Sequence, residues 1–374
     1  MTATDTIADR LTAYAADLTG KGAIRSEHVA SAFAAVPRHL FLNTIYQGRE
    51  RVQVGEEPDG EVLDRIYSDR SLMTHVPDDE AGGYSSASQP SLVAKMLEAL
   101  DLEPGMRVLE VGAGTGYNAA LIATITDAPV VTIDVSQAVA AEAAAALDRA
   151  GIDRVTALHA DGYLGHPDAG PYDRIIVTCG VTGASPHWLD QLAPSGLALV
   201  PTAHGGQHPL LAITQPGPAP TARAVSHADF MTAAGPLYYW PAHRTRTPTR
   251  AVPADALALT HDVGPELDDT DYQALWFHLA AHDPRATRAW TDGIDPAHGL
   301  CALHDPDTTA TAWIHHDGTA HHTGDPSLLD QLAELVTAWT DTGRHAISDW
   351  TTPLEPIGPT SQPVHAPANW HTTR

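Results

Sequence analysis

The sequence is nearly devoid of cysteine, and this limits the classes of protein it can belong to. Cys179 and Cys301 are the only two cysteines, they lie far apart, and neither forms a Cys-x-x-Cys pair. A scaffold stapled by disulfides is therefore not expected, and the pattern fits a reducing, cytoplasmic setting.

Long apolar runs are also missing. No stretch approaches the roughly 18 apolar residues that a membrane-spanning helix needs. The first residues, "MTATDTIADRLTAYAADL", carry acidic side chains and lack the apolar region of a secretory signal. We therefore expect no membrane partner.

Positive charge is scarce as well. The chain has 21 lysines and arginines against 46 aspartates and glutamates, which gives a formal net charge of −25. Such a surface repels nucleic acid, so we expect no nucleic-acid partner, and most of the acidic side chains are expected to form a solvated surface. The 22 histidines make this charge sensitive to mild acid, because free histidine protonates near pH ~6.5.

The 374 residues, 43% of them hydrophobic, suffice for one large domain or two medium ones. A first helix is predicted over residues 5–20, and a second, in the stretch that begins at Gly22, is predicted to end near Pro37. From residue 106 onward, buried-strand patterns alternate with helical patterns. Strands are predicted at residues 106–112, 129–135, 155–160, 172–180, 197–203, 208–215 and 222–230, and helices at residues 117–125, 136–151 and 186–194. This alternation predicts an α/β fold with a doubly wound, mostly parallel sheet.

The C-terminal third has a different composition. Residues 241–256 are rich in proline, arginine and threonine and are predicted to be a linker. Residues 257–350 carry two helical patterns and a hairpin turning at Asp317–Gly318, which predict a small α+β accessory domain. Its core is predicted to contain Trp276, Trp290, Trp313 and Trp339. Residues 351–374 lack any period and are predicted to be a loose or surface-draped tail.

The strongest chemical signal is "VLEVGAGTGYN", residues 108–118. Glycines at 112, 114 and 116 let the main chain approach a ligand closely. The dinucleotide fingerprint has a glycine at its sixth position, where this chain has Tyr117, and a pyrophosphate would be repelled by Glu110. The loop therefore favours S-adenosylmethionine, a ligand with a positive sulfonium and no phosphates.

Acidic side chains follow three successive strands of the predicted sheet. Glu110 and Asp134 end the first two strands, and Asp161–Gly162 follows the third. Ligands of open α/β sheets bind at the carboxyl ends of strands, where Asp134 is placed to hold ribose hydroxyls and Asp161 lies near the adenine. The alternatives are that the glycine loop is a plain tight turn and that Asp134 is a helix cap.

A cluster of hydroxyls lies before the helix at residues 90–100, in "GGYSSASQPSLVAKMLEAL". Ser85, Ser86 and Ser88 could be loop residues or an N-cap, since Pro90 stands at an early helical position. Alternatively, they donate hydrogen bonds to a substrate. Capping needs only one hydroxyl and does not account for three.

Several segments together resemble the protein-L-isoaspartate O-methyltransferase family. They are "VPRHLFL", "SASQPSLVAKMLEAL", "LEPGMRVLEVGAGTGYNAALIA", "DGYLG", "PYDRIIVTCG" and "WLDQLAPSGLALVP". The resemblance covers about residues 25–240 and implies a class I S-adenosylmethionine methyltransferase fold with N-terminal helices, extending to residue 240. The N-terminal, acceptor part is placed at about residues 1–90 and the cofactor sheet at about residues 91–240.

The resemblance also implies roles for particular residues. Ser88 matches the active-site serine of the family segment, and the methyl acceptor of the family is a side-chain carboxylate. Tyr84, Ser85 and Ser86 would support the substrate, while Arg38 and His39 would either line the acceptor site or pack a helix end. The residues expected to bind S-adenosylmethionine, and its product S-adenosylhomocysteine, are Glu110, Gly112, Ala113, Gly114, Thr115, Gly116, Asn118, Asp134, Val135, Asp161, Gly162 and Thr178.

Two departures from the family pattern bear on function. Cys179–Gly180 stands where the family often has two alanines, and the chain continues for more than 130 residues beyond the usual single domain. The form of the serine segment and the extension resemble most the subgroup that acts in graspetide or lanthipeptide pathways. The primary expectation is therefore esterification of an aspartyl or isoaspartyl side chain in a ribosomally made, macrocyclised peptide, leading to aspartimide or isoaspartate. The alternatives are a repair enzyme for isoaspartyl residues in damaged proteins and a peptide-binding module without turnover.

Two further features are interpreted as structural and not as catalytic or metal-binding. The histidine pairs of "HHDGTAHH", residues 315–322, could ligate a metal, but hairpin spacing alternates their faces, and no metal site is expected. Cys179 follows a strand near the cofactor, yet nothing in its surroundings lowers its pKa, so packing is the favoured role.

Overall fold

The computed structural model describes residues 6–373, apart from residues 49, 56, 77–83, 216, 218, 239–259 and 291–298. The chain forms two compact units. The first unit comprises Met1–Cys179 and Ser185–Leu199, and the second comprises Gly180–Ala184 and Val200–Arg374. The predicted linker at residues 241–256 and the two glycines that precede Tyr84 lie outside the described residues.

The first unit begins with helices and two short hairpins. In chain order these elements are α1 (Ile7–Gly20), α2 (Glu27–Ala35), a 3-10 turn (Arg38–Phe41), β1 (Thr44–Gln47), β2 (Glu50–Gln53), α3 (Gly60–Ile66), β3 (Leu72–His75), β4 (Ser85–Ala87) and α4 (Pro90–Leu100). Both predicted N-terminal helices are confirmed. Thr6 caps α1 with a capping box to Asp9, which fixes where that helix starts.

A parallel sheet follows, with strands and helices in alternation. Its elements are β5 (Val108–Val111), α5 (Tyr117–Thr126), β6 (Val130–Asp134), α6 (Gln137–Arg149), β7 (Val155–His159), β8 (Tyr172–Val177), α7 (Pro186–Gln191) and β9 (Leu192–Pro201). The strands stand in the order β9-β8-β5-β6-β7, all parallel, so β5 lies centrally between β6 and β8. Every residue of β5 is buried, as expected for a strand covered on both faces.

One local boundary differs from the prediction. Helix α7 ends at Gln191, and β9 starts at Leu192, which pairs with Tyr172 of β8, although helix was predicted through residue 194. Sheet pairing therefore takes residues that the local pattern assigned to the helix.

The second unit contains a group of antiparallel strands and a five-stranded sheet. Its elements are β10 (Leu210–Thr214), β11 (Thr221–Ser226), β12 (His261–Asp262), α8 (Asp269–His282), β13 (Ala286–Ala289), β14 (Leu300–His304), β15 (Thr311–Ile314), β16 (Thr319–Thr323), α9 (Ser327–Asp341), β17 (Trp350–Ile357), β18 (Val364–Pro367) and β19 (His371–Thr372). Strands β10, β11, β17 and β18 pair in that order, with β19 on β17. The five-stranded sheet has the order β12-β16-β15-β14-β13, and its β15–β16 hairpin turns at Asp317–Gly318 as predicted.

The C-terminal tail prediction is wrong. Residues 350–373 form β17, β18 and β19, and β17 pairs with β11 through Ala222 and Thr352. Strand β11 is consequently not the last strand of its group, and β10 and β11 cluster with the C-terminal half rather than ending a domain at residue 240. The signal was present in β17, because Trp350, Thr352 and Leu354 alternate as buried residues, but Pro353 and Pro356 within the strand obscure the pattern.

The predicted tryptophan core of the accessory region is confirmed in part. Trp276 and Trp339 are buried in one cluster with residues of α8, α9 and the sheet. Trp313 is fully buried but belongs to a second small cluster with Leu300 and Ala302. Trp290 is only partly buried. Within the described part of the chain, no helix is long and apolar enough to cross a membrane.

Candidate active site

The glycine loop joins β5 to α5 and is tied down on both sides. Gly112 and Ala113 donate main-chain hydrogen bonds to the carbonyl of Ile133 in β6. On the other side, the hydroxyl of Thr178 donates to the carbonyl oxygen of Gly112 over 2.7 Å. The loop is thus held between the carboxyl ends of β6 and β8.

Glycine is required at two of its positions for different reasons. Gly112 has φ of +102°, and a methyl group there would lie 2.5 Å from the Thr178 hydroxyl oxygen. Gly116 has φ of +82°, and a methyl group there would lie 3.3 Å from the carbonyl oxygen of Ala143 in α6. A side chain at either position would force the loop away from the sheet edge.

Glu110 lies beneath the loop rather than on its surface. Its carboxylate accepts hydrogen bonds from the amide of Asn118 at 2.7 Å and from the hydroxyl of Thr132 at 2.6 Å. Burial raises the pKa of Glu110 to about 7, and the nearby Asp134 adds to this, against the lowering effect of the two hydrogen bonds. Glu110 therefore orients Asn118 at the start of α5.

Asp134 ends β6 beside the loop. Its carboxylate accepts hydrogen bonds from the main-chain N–H of Ser136 at 2.9 Å and, at 3.4 Å, from that of Gly114. The cap of α6 is Ser136, whose hydroxyl accepts from Val139, so Asp134 is not the helix cap. Val135 follows it with 60% of its surface exposed, an apolar face at the edge where an adenine ring would pack.

The Asp161–Gly162 turn is held by side chains that were not predicted as site residues. Asp161 accepts a hydrogen bond from the N–H of Tyr163. The indole of Trp188 donates to the carbonyl oxygen of Gly162 at 2.7 Å, and the hydroxyl of Ser185 donates to that of Tyr163 at 2.6 Å. Helix α7 therefore positions the Asp161–Gly162 turn through two buried side chains.

The serine segment runs alongside this loop. Ser85 and Ser86 lie in β4, which pairs with β3, and Ser88 follows directly; all three are partly exposed. A methyl group at Gly114 would lie 3.8 Å from the carbonyl oxygen of Ser86, so the two segments are adjacent. Tyr84, immediately before β4, is 59% exposed.

The serines do not cap helix α4. The N-cap position is Gln89, without a side-chain capping bond, and Pro90 is the first helical residue. The orphan N–H of Ser91 is instead satisfied by the carboxylate of Asp69 at 2.8 Å. The capping interpretation of the serines is therefore wrong, because an acid 22 residues upstream takes that role.

Arg38 and His39 do not line an open site. Arg38 is fully buried, and its guanidinium donates to the carbonyl oxygens of Ile66 and Ser88 at 2.8 Å, with longer bonds of 3.5 Å to those of Ser68 and Arg70. The His39 ring contacts the Tyr67 hydroxyl at 2.7 Å, and burial lowers the pKa of His39. Of the two roles left open, packing is correct, but Arg38 also anchors the serine segment through the carbonyl oxygen of Ser88.

The loop residues fit S-adenosylmethionine. The Asn118 side-chain oxygen is buried and has no hydrogen-bond partner among the described residues, so it is a ready acceptor beside the loop. The bare main chain at Gly112, Gly114 and Gly116 leaves room that Cβ atoms would fill. Two carboxylates, those of Asp134 and Asp161, lie at neighbouring strand ends and suit hydroxyl and amino groups better than phosphates.

The structure does not support Cys179 as a nucleophile, nor a metal site among the described residues. Burial raises the pKa of Cys179 to about 12, with Asp134 contributing, so its thiol is a poor nucleophile at neutral pH. Among the residues that the structure describes, no group of three or more histidine, cysteine, aspartate or glutamate side chains is arranged to hold a metal ion.

The fold and this loop define a class I S-adenosylmethionine-dependent methyltransferase. Residues 61–235 match the family model described as protein-L-isoaspartate(D-aspartate) O-methyltransferase. A protein-L-isoaspartate O-methyltransferase of Hyperthermus butylicus is 40% identical over 194 residues, which cover 49% of this chain and 71% of that protein. The chain belongs to this family, and its cofactor is S-adenosylmethionine.

Other similarities show how far the relationship extends. The enzyme of the same name from Thermotoga maritima is 37% identical over 178 residues, 47% of this chain but only half the length of that relative. A solved protein-L-isoaspartate O-methyltransferase structure has the same fold, with a TM-score of 0.56 at 24% identity, over 97% of this chain and 99% of its own. The similarity of fold therefore includes the C-terminal region of this chain.

Proposed function

We propose that this protein transfers a methyl group from S-adenosylmethionine to the free α-carboxylate of isoaspartyl residues in proteins. The observation that carries the proposal is the adjacency of the serine segment and the glycine loop at Ser86 and Gly114. The names of the relatives in the family support the choice of acceptor.

The chemistry needs positioning more than acid–base catalysis. A free carboxyl has a pKa near ~3.9 and is already a nucleophile at neutral pH, so no general base is required. The cofactor supplies a sulfonium-bound methyl group, and transfer forms one O–CH₃ bond as one S–CH₃ bond breaks, leaving a neutral thioether. Holding the two reactants in line can supply up to ~7–11 kcal/mol.

The acceptor carboxylate must be oriented without losing its nucleophilicity. A tight arginine pair would withdraw electron density, whereas hydroxyl donors orient an oxygen more gently. Ser88 is proposed to donate to the acceptor carboxylate, with Ser85, Ser86 and the exposed ring of Tyr84 beside it. Arg38 acts only through the main chain, because its guanidinium is buried against carbonyl oxygens.

After methylation, the ester reacts further without any group of the enzyme. Methoxide is a far better leaving group than an oxide, so the following main-chain nitrogen can attack the ester carbonyl and expel it as methanol. The resulting five-membered imide opens with water to aspartate or isoaspartate. Repeated cycles convert isoaspartate into aspartate.

The comparisons favour protein repair over a dedicated peptide substrate. The C-terminal extension suggested a peptide-recognition domain, yet the fold of a solved protein-L-isoaspartate O-methyltransferase accounts for 97% of this chain. An extension of this kind is therefore compatible with the repair activity. Esterification of an aspartate in a macrocyclised precursor peptide is the competing hypothesis.

A methylation assay with three acceptors distinguishes the hypotheses. The acceptors are a short isoaspartyl peptide, the same peptide with ordinary aspartate, and a cyclised acidic precursor peptide, with S-adenosylhomocysteine release as the readout. We expect the isoaspartyl peptide to be methylated at least 100-fold faster than its aspartyl twin, since only in the isoaspartyl peptide is the α-carboxylate free while the main chain runs through the β-carboxyl. Preferential methylation of the cyclised peptide would reject repair, and no methylation of any acceptor would reject the function.

A further inference from the structure

The side chain of Arg288, in β13 of the five-stranded sheet, is buried and closely surrounded by its neighbours. Its side chain is only 11% exposed. The guanidinium carbon lies 5.8 Å from the ring centroids of both Trp276 and Trp290, within cation–π range. A methyl group at Gly299 would lie 2.5 Å from its Cγ, and one at Gly206 would lie 2.7 Å from its main-chain nitrogen. Two glycines and two indoles therefore fix the direction in which this arginine points.

Arg288 points at Asp229, which bridges it to a histidine. The Arg288 guanidinium lies 2.7 Å from one carboxylate oxygen of Asp229, and Nδ1 of His208 lies 3.1 Å from the other. Burial acts to raise the pKa of Asp229, but the His208 hydrogen bond and the Arg288 charge outweigh it, so that pKa is lowered. The ionised carboxylate can only accept, so Nδ1 of His208 carries the proton that it shares with Asp229.

The His208 ring lies directly against Gly180. A methyl group at Gly180 would lie 2.6 Å from both Nε2 and Cδ2 of His208, so the ring occupies the space of a missing side chain. The main chain of Gly180 is also held, since its N–H donates to the carbonyl of Met231 and its carbonyl accepts from Ala233. His208 is itself buried, and among the described residues its Nε2 has no hydrogen-bond partner.

Gly180 continues directly from the strand that anchors the cofactor loop. Two residues earlier, Thr178 donates its hydroxyl to the carbonyl of Gly112. We propose that Arg288, Asp229 and His208 are positioning residues, through which the five-stranded sheet holds the Thr178–Gly180 turn and thereby the glycine loop in place for methyl transfer. This gives the C-terminal region a role in catalysis, and it rests on the proposed methyltransferase function.

The contact between His208 and Gly180 permits a direct test. Gly180 does not have a positive φ, so the His208 ring is the obstacle to a side chain there. We expect Gly180→Ala to weaken S-adenosylhomocysteine binding at least tenfold, measured by calorimetry, and His208→Ala to weaken it less. The double variant should regain most of the affinity that Gly180→Ala lost, because the methyl group then has room. A double variant as weak as Gly180→Ala would overturn the proposal.

The relay is the chain of contacts from Arg288 through Asp229 to His208. Its Arg288 end is tested in the protein without cofactor. Arg288→Met should increase hydrogen–deuterium exchange of residues 178–180 and of the glycine loop in the free protein, whereas Arg288→Lys should restore part of the protection. Arg285→Met is the matched control, because Arg285 precedes the same strand but pairs with Asp283. Equal exchange in the Arg285 and Arg288 variants, or no change in either, would refute the relay. If Arg288→Met does not fold, Asp229→Asn interrupts the relay at its centre and is held to the same outcomes.

Failure of the relay and failure of the proposed function have different signatures. Binding of S-adenosylhomocysteine and exchange do not depend on the acceptor. An enzyme that binds the cofactor product with the expected pattern among the variants, but methylates no isoaspartyl peptide, would retain the relay and lose the assigned substrate.

Discussion

The guanidinium of Arg38 donates a 2.8 Å hydrogen bond to the main-chain oxygen of Ser88 and so ties the N-terminal helical region to the serine segment. The same group binds the carbonyl of Ile66 at 2.8 Å, and Arg38 is 1% exposed. A buried arginine surrounded by carbonyl oxygens holds several loops at once, and its loss would leave those oxygens unpaired.

Arg38→Met should therefore affect both stability and turnover. Leaving buried carbonyls unsatisfied is expected to cost about 1–3 kcal/mol of unfolding free energy, measured by urea denaturation. Turnover should fall more than S-adenosylhomocysteine affinity, because Ser88 moves while the glycine loop keeps its own anchors. Arg25→Met is the control, since its side chain is 71% exposed. Unchanged turnover in a folded Arg38→Met protein would contradict the anchoring role.

Ser88→Ala tests the donor assigned to the acceptor carboxylate. We expect kcat to fall roughly tenfold, which corresponds to a loss of about 1.4 kcal/mol for one hydrogen bond in the transition state. Affinity for S-adenosylhomocysteine should be unchanged. Ser91→Ala, in the first turn of the following helix, is the matched control and should keep normal turnover. Full activity of the Ser88 variant would remove this residue from the site.

Asp134→Ala tests the cofactor site. Loss of charge-assisted hydrogen bonds, each worth about 1.5–3 kcal/mol, should weaken S-adenosylhomocysteine binding about 10- to 100-fold by calorimetry. Asp127→Ala is the control, because that exposed carboxylate pairs with Arg154 on the surface. Equal affinity in the two variants would show that Asp134 does not contact the ligand.

His278 makes stability depend on pH. It is 4% exposed, and burial lowers its pKa to about 3, with contributions from His282 and His345. The unfolded chain, with a pKa near 6.5, binds the proton more strongly than the folded chain does. This contribution to stability is complete above pH ~6.5 and is lost at up to about 1.4 kcal/mol per pH unit as pH falls toward 3.

The measurement is urea denaturation at pH 7.5 and pH 5.5. His278→Leu should lose less stability between these two values than the unmodified protein, because the titrating group is gone. His28→Gln, at an exposed position, should leave the difference unchanged. An identical pH dependence in the His278 variant would show that this histidine is not the group responsible.

Much of the fold and of the cofactor site follows from local sequence. Gly112, Gly114 and Gly116 after a buried strand require a tight loop, since all three have positive φ. The strand and helix periods locate Asp134 and Asp161 at successive strand ends. A buried strand of a parallel sheet is recognisable as a short run of consecutive apolar residues. The hairpin at Asp317–Gly318 likewise needed only its own turn chemistry.

Long-range contacts decided the rest. The cap on α4 comes from Asp69, the support of Ser88 from Arg38, and the strand partner of β11 from residues near the C-terminus. No local period encodes such pairs, because they join residues that are distant along the chain and meet only after folding. The sequence determined which residues could carry the chemistry, through turn geometry and periodicity. Only the tertiary structure decided which of them face the site and which are buried behind it, because burial and hydrogen-bond satisfaction are properties of the packed chain.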